Sequence, residues 1–112
     1  MALLRMEFLG SFRVLLDGTP LTAFESNKVR ALLAYLAAES QRPHPRESLA
    51  ALLWPDWPER AALSNLRYAL SDLRKVIVDR NAEPPFLLIS REAIQFNAES
   101  DHALDVAEFT RL

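Results

Sequence analysis

Cysteine is absent from the 112 residues of this chain, so no disulfide framework, thiolate metal site or thiol nucleophile can be built. Glycine is nearly absent too: with only Gly10 and Gly18 available, no glycine-rich loop can cradle a phosphate. His44 and His102 are far apart in sequence and lack metal-ligand spacing, so both are expected at the surface, and neither a metal nor a cofactor is expected. Ser64 and Ser71 have only Asp72 as a base in helical register, which cannot make a triad, and no HExxH or nucleophile elbow occurs. Catalysis is not expected. No apolar run approaches membrane-spanning length, and Arg5 and Glu7 interrupt the first ten residues, which lack the apolar core of a signal peptide. The default is a cytosolic protein with no membrane partner. A basic excess is missing as well. The formal net charge is −2, which argues mildly against nucleic acid, although the field depends on where charges sit.

What is present is the ordinary balance of a globular protein, half apolar and a quarter charged, in a chain long enough for one domain with a real core. Its most informative stretch is LLWPDWPERAALSNLRYALSDLRK, Leu52 to Lys75. From Glu59 to Asp79, Leu63, Leu66, Leu70, Leu73 and Ile77 recur at alternating three- and four-residue spacing, which puts them on one face of an α-helix. At about 100° per residue, the opposite face collects Ser64, Tyr68, Ser71 and Lys75. Arg60, Arg67 and Arg74 line one flank and Asn65 and Asp72 the other. Cations are concentrated locally: between Arg60 and Arg80, five cations (Arg60, Arg67, Arg74, Lys75 and Arg80) stand against two acids, Asp72 and Asp79.

Around this helix the spacing predicts two short strands, Leu3–Leu9 and Phe12–Leu16, joined at Gly10-Ser11, with Asp17-Gly18 turning into a third strand at Thr19-Pro20-Leu21. Ser26 or Asn27 caps a first helix through KVRALLAYLAAES, buried along Val29, Leu32, Leu33 and Leu36. Gln41 to Pro45 breaks it, and a shorter helix spans Arg46 to Leu53 with Pro45 at its first position. Trp54-Pro55-Asp56-Trp57-Pro58 turns the chain; both indoles are expected to pack this corner against the core rather than to stack bases. Phe86–Ser90 and Ala93–Asn97 read as a hairpin around Arg91-Glu92, and Asp101–Leu112 as the opening of a further amphipathic helix. Residues 1–100 are thus expected to form one domain, and 101–112 to begin a neighbouring helical domain or linker. The order is that of a winged helix-turn-helix: an α+β fold with an N-terminal antiparallel sheet, three helices and a C-terminal β-hairpin wing.

The segments LGSFRVLLDGTPL, SNKVRALLAYLAAES, RESLAALLWPDWPERAALSNLRYALSDLRK, FLLIS with IQFN, and LDVAEF together resemble the N-terminal domain of the antibiotic-regulatory-protein (SARP) type of bacterial transcriptional activator. Those domains are similar to the winged-helix effector domain of OmpR-type response regulators, with an added N-terminal sheet. LDVAEF is similar to the start of the helical bacterial transcriptional activation domain that follows in that family. One departure is His44-Pro45, where related sequences usually carry a Ser or Thr cap. The resemblance implies binding of double-stranded promoter DNA, with helix 59–79 in the major groove and hairpin 86–97 as the wing. It also implies promoter sites arranged as repeats, dimer formation on them, and contact with RNA polymerase.

On the outer face, Ser64, Asn65, Arg67, Tyr68 and Ser71 are the residues expected nearest base edges, with Arg74 and Lys75 on phosphates. Lys28 at the start of the first helix and Arg91 at the hairpin tip are further candidate phosphate contacts. Asp56 and Glu59 stand where OmpR-type domains touch polymerase. The alternative is a protein-interaction module, which would use the same scaffold to dock a partner domain without binding DNA; the acidic balance fits it. Against both stands the ordinary solvated face of an amphipathic helix.

Overall fold

The computed structural model describes residues 3–9, 12–22, 24, 26–77, 79 and 82–105. Among them the elements run β1 (Leu4–Glu7), β2 (Arg13–Leu16), β3 (Thr19–Pro20), α1 (Asn27–Ala38), β4 (His44–Pro45), α2 (Arg46–Leu53), α3 (Glu59–Val76), β5 (Leu87–Ile89), β6 (Ala93–Phe96) and β7 (His102–Leu104). This is an α+β architecture of three helices and two small sheets of order β3-β2-β1-β7 and β4-β6-β5.

The N-terminal sheet follows from alternation. Leu4 and Met6 on β1 and Val14 on β2 point into the core, while outward-facing Arg5 and Arg13 share the carboxylate of Glu7 at 2.8 and 3.2 Å. β2 turns into β3 through Asp17 (φ 52°) and Gly18 (φ 83°), the positive pair that a two-residue primed turn demands. Pro20 sits on the sheet's outer strand, where its missing N–H leaves no ladder bond unmade. The Gly10-Ser11 connection lies outside the described residues.

α1 is capped by Ser26, whose hydroxyl accepts from the Val29 N–H at 3.3 Å, and it buries Val29, Leu32, Leu33, Leu36 and Ala37. α2 has no side-chain cap. Its first N–H, that of Arg46, donates instead to the Glu92 carbonyl at 3.0 Å, because His44-Pro45 pairs antiparallel with Ile94-Ala93 and brings the wing to the helix start. The missing Ser or Thr cap is thus replaced by a strand. α3 buries Ala62, Leu66, Ala69, Leu70 and Leu73 against α1 and α2, with Ile77 completing the stripe and Leu63 at its margin.

Four expectations need correction. His44 is not a surface residue: it retains 2% exposure, its ring packs edge-on against Tyr35, and Nε2–H donates to the Glu39 carbonyl at 2.7 Å. Pairing of β4 with β6 is what turns it inward. His102 is half-buried, with its ring against Phe96 at 4.9 Å and Nδ1 in hydrogen-bond reach of Ser100. Trp54 packs against the core, but Trp57 is 56% exposed, carried outward by the Pro55-Asp56 turn. Finally, His102–Leu104 is a strand, parallel to β1, so that the helix expected from Asp101 begins only at Asp105. The free edge of β1 offers backbone partners that an isolated helical turn lacks: Leu4 N–H donates to the Asp101 carbonyl, and the Asp105 carboxylate accepts from Phe8 and Leu9 at 3.0 and 2.9 Å. The rest of the expected helix, residues 106–112, lies outside the described residues.

Leu73 is fully buried on α3. Leu73→Ala should therefore cost about 2–5 kcal/mol in chemical denaturation, whereas Leu88→Ala on the exposed side of β5 should stay within about 0.5 kcal/mol. Gly18→Ala meets no neighbouring atom, so its expected cost of about 1 kcal/mol is backbone strain alone. An equal loss for Leu73→Ala and Leu88→Ala would contradict this packing.

Candidate nucleic-acid interface

α3 carries the candidate surface because its amphipathicity leaves no choice. With one side packed, Arg60, Arg67, Tyr68, Ser71 and Lys75 are exposed, and Ser64 and Asn65 are partly so. Tyr68 stands 66% exposed, and the Arg67 guanidinium lies 5.8 Å from its ring centroid, so the two side chains project as a pair. Their ring and cation supply stacking area, charge and hydrogen-bond donors in one place.

Two shallow grooves run along the flanks of this face. One, of about 530 Å³, is lined by Glu59, Arg60, Leu63, Ser64 and Arg67. Arg60, Ser64 and Arg67 are spaced by about one helical turn, so two cations bracket a hydroxyl along the N-terminal half of the helix. Arg60 is the residue that sequence reasoning passed over; its seven-residue spacing from Arg67 was the signal available. The other groove, of about 320 Å³, brings Asn65 and Tyr68 together with Lys28, Trp57 and Asp72.

Which cations are available to a ligand follows from the ion pairs. Among the described residues no ion pair engages Arg60, Arg67, Lys75 or Arg91. Arg74 is different. It is only 34% exposed, its buried Nε makes no hydrogen bond, and it lies 3.5 Å from the Asp79 carboxylate, close enough for attraction between charges. The structure thus directs it toward the protein. Lys28 is also engaged: its ammonium donates to the Leu53 carbonyl at the end of α2 and sits 5.9 Å from the Trp54 ring centroid. A cation at a helix C-terminus meets the unpaired carbonyls there, which gives Lys28 a structural task whatever else it touches.

Arg91 stands apart, exposed at the turn between β5 and β6. That turn is well defined. Ser90 Oγ accepts from the Glu92 and Ala93 N–H groups at 3.3 and 3.0 Å, and Arg46 donates through Nε and Nη2 to the Ser90 carbonyl at 3.2 and 2.8 Å. Asp56 and Glu59 are exposed at the corner between α2 and α3. Among the described residues there is no cluster of metal-ligating side chains, and no helix is long and apolar enough to cross a membrane.

Replacing Lys28 by Met keeps the aliphatic stem against Trp54 and removes the donor. An expected loss of about 1 kcal/mol in thermal denaturation would register the bond to α2. No change in melting temperature would leave Lys28 as a solvated end.

No family model matches the chain. In sequence it is 29% identical over 107 residues to the transcriptional regulatory protein EmbR of Mycobacterium bovis and of Mycobacterium tuberculosis, covering 94% of this chain and 27% of each relative. In structure it superposes with a TM-score of 0.80 and 26% identity on Mycobacterium tuberculosis EmbR solved in complex with a low-affinity phosphopeptide, covering 99% of this chain and 29% of that one. The chain therefore spans somewhat more than a quarter of the transcriptional regulatory proteins it matches. Strand order, helix order and both likenesses agree on a winged-helix domain, similar to those of the antibiotic-regulatory-protein type.

Proposed function

We propose that this chain binds double-stranded DNA in a sequence-specific manner as part of a cytoplasmic bacterial transcriptional activator. In this reading α3 enters the major groove and the β5–β6 hairpin is the wing. The observation that carries it is the outer face of α3, where Arg60, Arg67 and Lys75 make no ion pair among the described residues while the opposite face is fully packed. An α-helix fits the major groove, and a protein with a net charge of −2 needs its free cations on one element to meet phosphates.

Ser64, Asn65, Arg67, Tyr68 and Ser71 are assigned to base edges and nearby phosphates, and Arg60 and Lys75 to the backbone on either side. Arg91 reaches from the wing. Arg74 is withdrawn from the phosphate set because it faces Asp79, and Lys28 is at most an auxiliary contact. Two domains side by side on repeated promoter sites would form the dimer that the family resemblance implies.

Four free cations, Arg60, Arg67, Lys75 and Arg91, predict a log–log salt dependence of duplex affinity with a slope of about −3 to −4. Arg67→Ala combined with Tyr68→Ala should lower affinity by about tenfold or more and blur the preferred sequence, measured on duplexes selected from a random pool. Unchanged affinity in the double variant would remove the assignment, and salt-insensitive absence of duplex binding would remove the DNA reading itself.

The exposure of Trp57 favours a second, compatible reading. A bare indole beside Asp56 and Glu59 forms an apolar, acidic corner suited to RNA polymerase or another protein partner, at the edge of the groove that also holds Asn65 and Tyr68. Trp57→Ser should then weaken transcription activation while leaving duplex affinity unchanged.

A further inference from the structure

Asp79 is almost wholly withdrawn from water, 3% exposed, three residues beyond the last residue of α3. Burying a carboxylate is unfavourable unless hydrogen bonds and a counter-charge replace its hydration. Both are present. Its Oδ1 accepts from the Phe86 and Leu87 N–H groups at 2.8 and 3.1 Å, and its Oδ2 faces Arg74 Nε at 3.5 Å. The same loop is closed from the other strand: Asn97 N–H donates to the Phe86 carbonyl at 2.7 Å and its Nδ2 to the Pro85 carbonyl at 2.9 Å. Phe86 is thus held from the end of α3 and from the far end of the hairpin.

We infer that Asp79, braced by Arg74, is a positioning residue that fixes the base of the β5–β6 hairpin to the end of α3, so that helix and wing meet a duplex as one rigid unit. The inference rests on the DNA reading for its consequence, though the clasp itself can be measured without DNA. Arg46 holds the tip of the hairpin from α2 through the Ser90 carbonyl and β4 pairs along β6, while Asp79 ties the hairpin's base to the end of α3. Arg74 then acts on binding only through the wing. A phosphate ligand at the same position would act directly, and the two roles separate cleanly in a double-mutant cycle.

The experiment compares Arg74→Met, Arg91→Ala and their combination, together with Asp79→Asn, in the 112-residue chain. Duplexes selected by the unaltered chain serve as probe, and backbone amide exchange is followed by NMR. Arg74→Met should weaken binding by about five- to tenfold in the unaltered background and by less than about twofold when Arg91 is already Ala. Amide exchange at Phe86 and Leu87 should accelerate in Arg74→Met by about tenfold, while Leu32 and Leu33 in α1 keep their protection. Asp79→Asn keeps an acceptor oxygen and should retain part of the protection at Phe86 and Leu87. Additive losses, no loss from Arg91→Ala alone, or unchanged exchange at Phe86 and Leu87 would each overturn the inference. Should the unaltered chain bind no duplex, the DNA reading fails instead, and the exchange result alone decides the clasp.

Discussion

Burial of one side of α3 is the constraint from which the rest follows. Leu66, Leu70, Leu73 and Ile77 lie within a narrow arc of the helix, and Ala62 and Ala69 beside them let α1 and α2 come close. Removing that stripe from water is worth several kcal/mol in aggregate, far more than α3's uncapped N-terminus or its intrinsic propensity could supply. Once the stripe is fixed, the remaining positions have no freedom. Tyr68 and Lys75 must face away from the protein because Leu66 and Leu73 face into it. The candidate interface is in this sense a by-product of packing, and its composition is the only part open to selection for a partner.

That composition explains how an acidic chain can present a basic face. Several carboxylates elsewhere are committed: Glu7 to Arg5 and Arg13, Asp79 to Phe86, Leu87 and Arg74, and Asp105 to the Phe8 and Leu9 amides. Along α3 the two classes of cation separate by burial. Arg74 is drawn toward the protein by a buried charge, and Arg60, Arg67 and Lys75 are left to solvent. Exposed lysines and arginines on a helix face ordinarily contribute little to stability. Leaving three of them unpaired on the face opposite the core costs the fold little and concentrates field where a polyanion could dock.

Much of the fold could be read from residue order because its determinants are local. The period of α3, the Asp17-Gly18 turn, Ser26 as a cap and the hairpin around Arg91-Glu92 each depend on a few neighbouring side chains, and each appears as expected. What escaped was non-local. β4 and β7 are two- and three-residue strands that exist only because β6 and β1 present open edges, and nothing in His44-Pro45 or His102-Leu104 alone announces them. His44 was misread for the same reason, since its burial is decided by a partner about fifty residues away, at Ile94. Among the candidate site residues, the exposed face was legible from helical geometry. The reassignment of Arg74 was not, because Asp79 lies past the helix end, where periodicity carries no information.

The two Trp residues show how a rigid corner divides one motif into two tasks. Pro55 and Pro58 restrict the backbone on both sides of Asp56-Trp57, and the two indoles differ in depth, Trp54 packed against the core and Trp57 largely in solvent. Trp54 takes the inner position, packed on the core and capped by the Lys28 ammonium, which also satisfies the Leu53 carbonyl. This ties the start of α1 to the end of α2 and sets the platform on which α3 begins. Trp57 takes the outer position and remains exposed at the edge of the groove that also holds Tyr68. With more than half of its surface in solvent, Trp57 buries less apolar area for the fold than a core indole would. Its exposed ring shares that groove with Asn65 and Tyr68 on the outer side of α3.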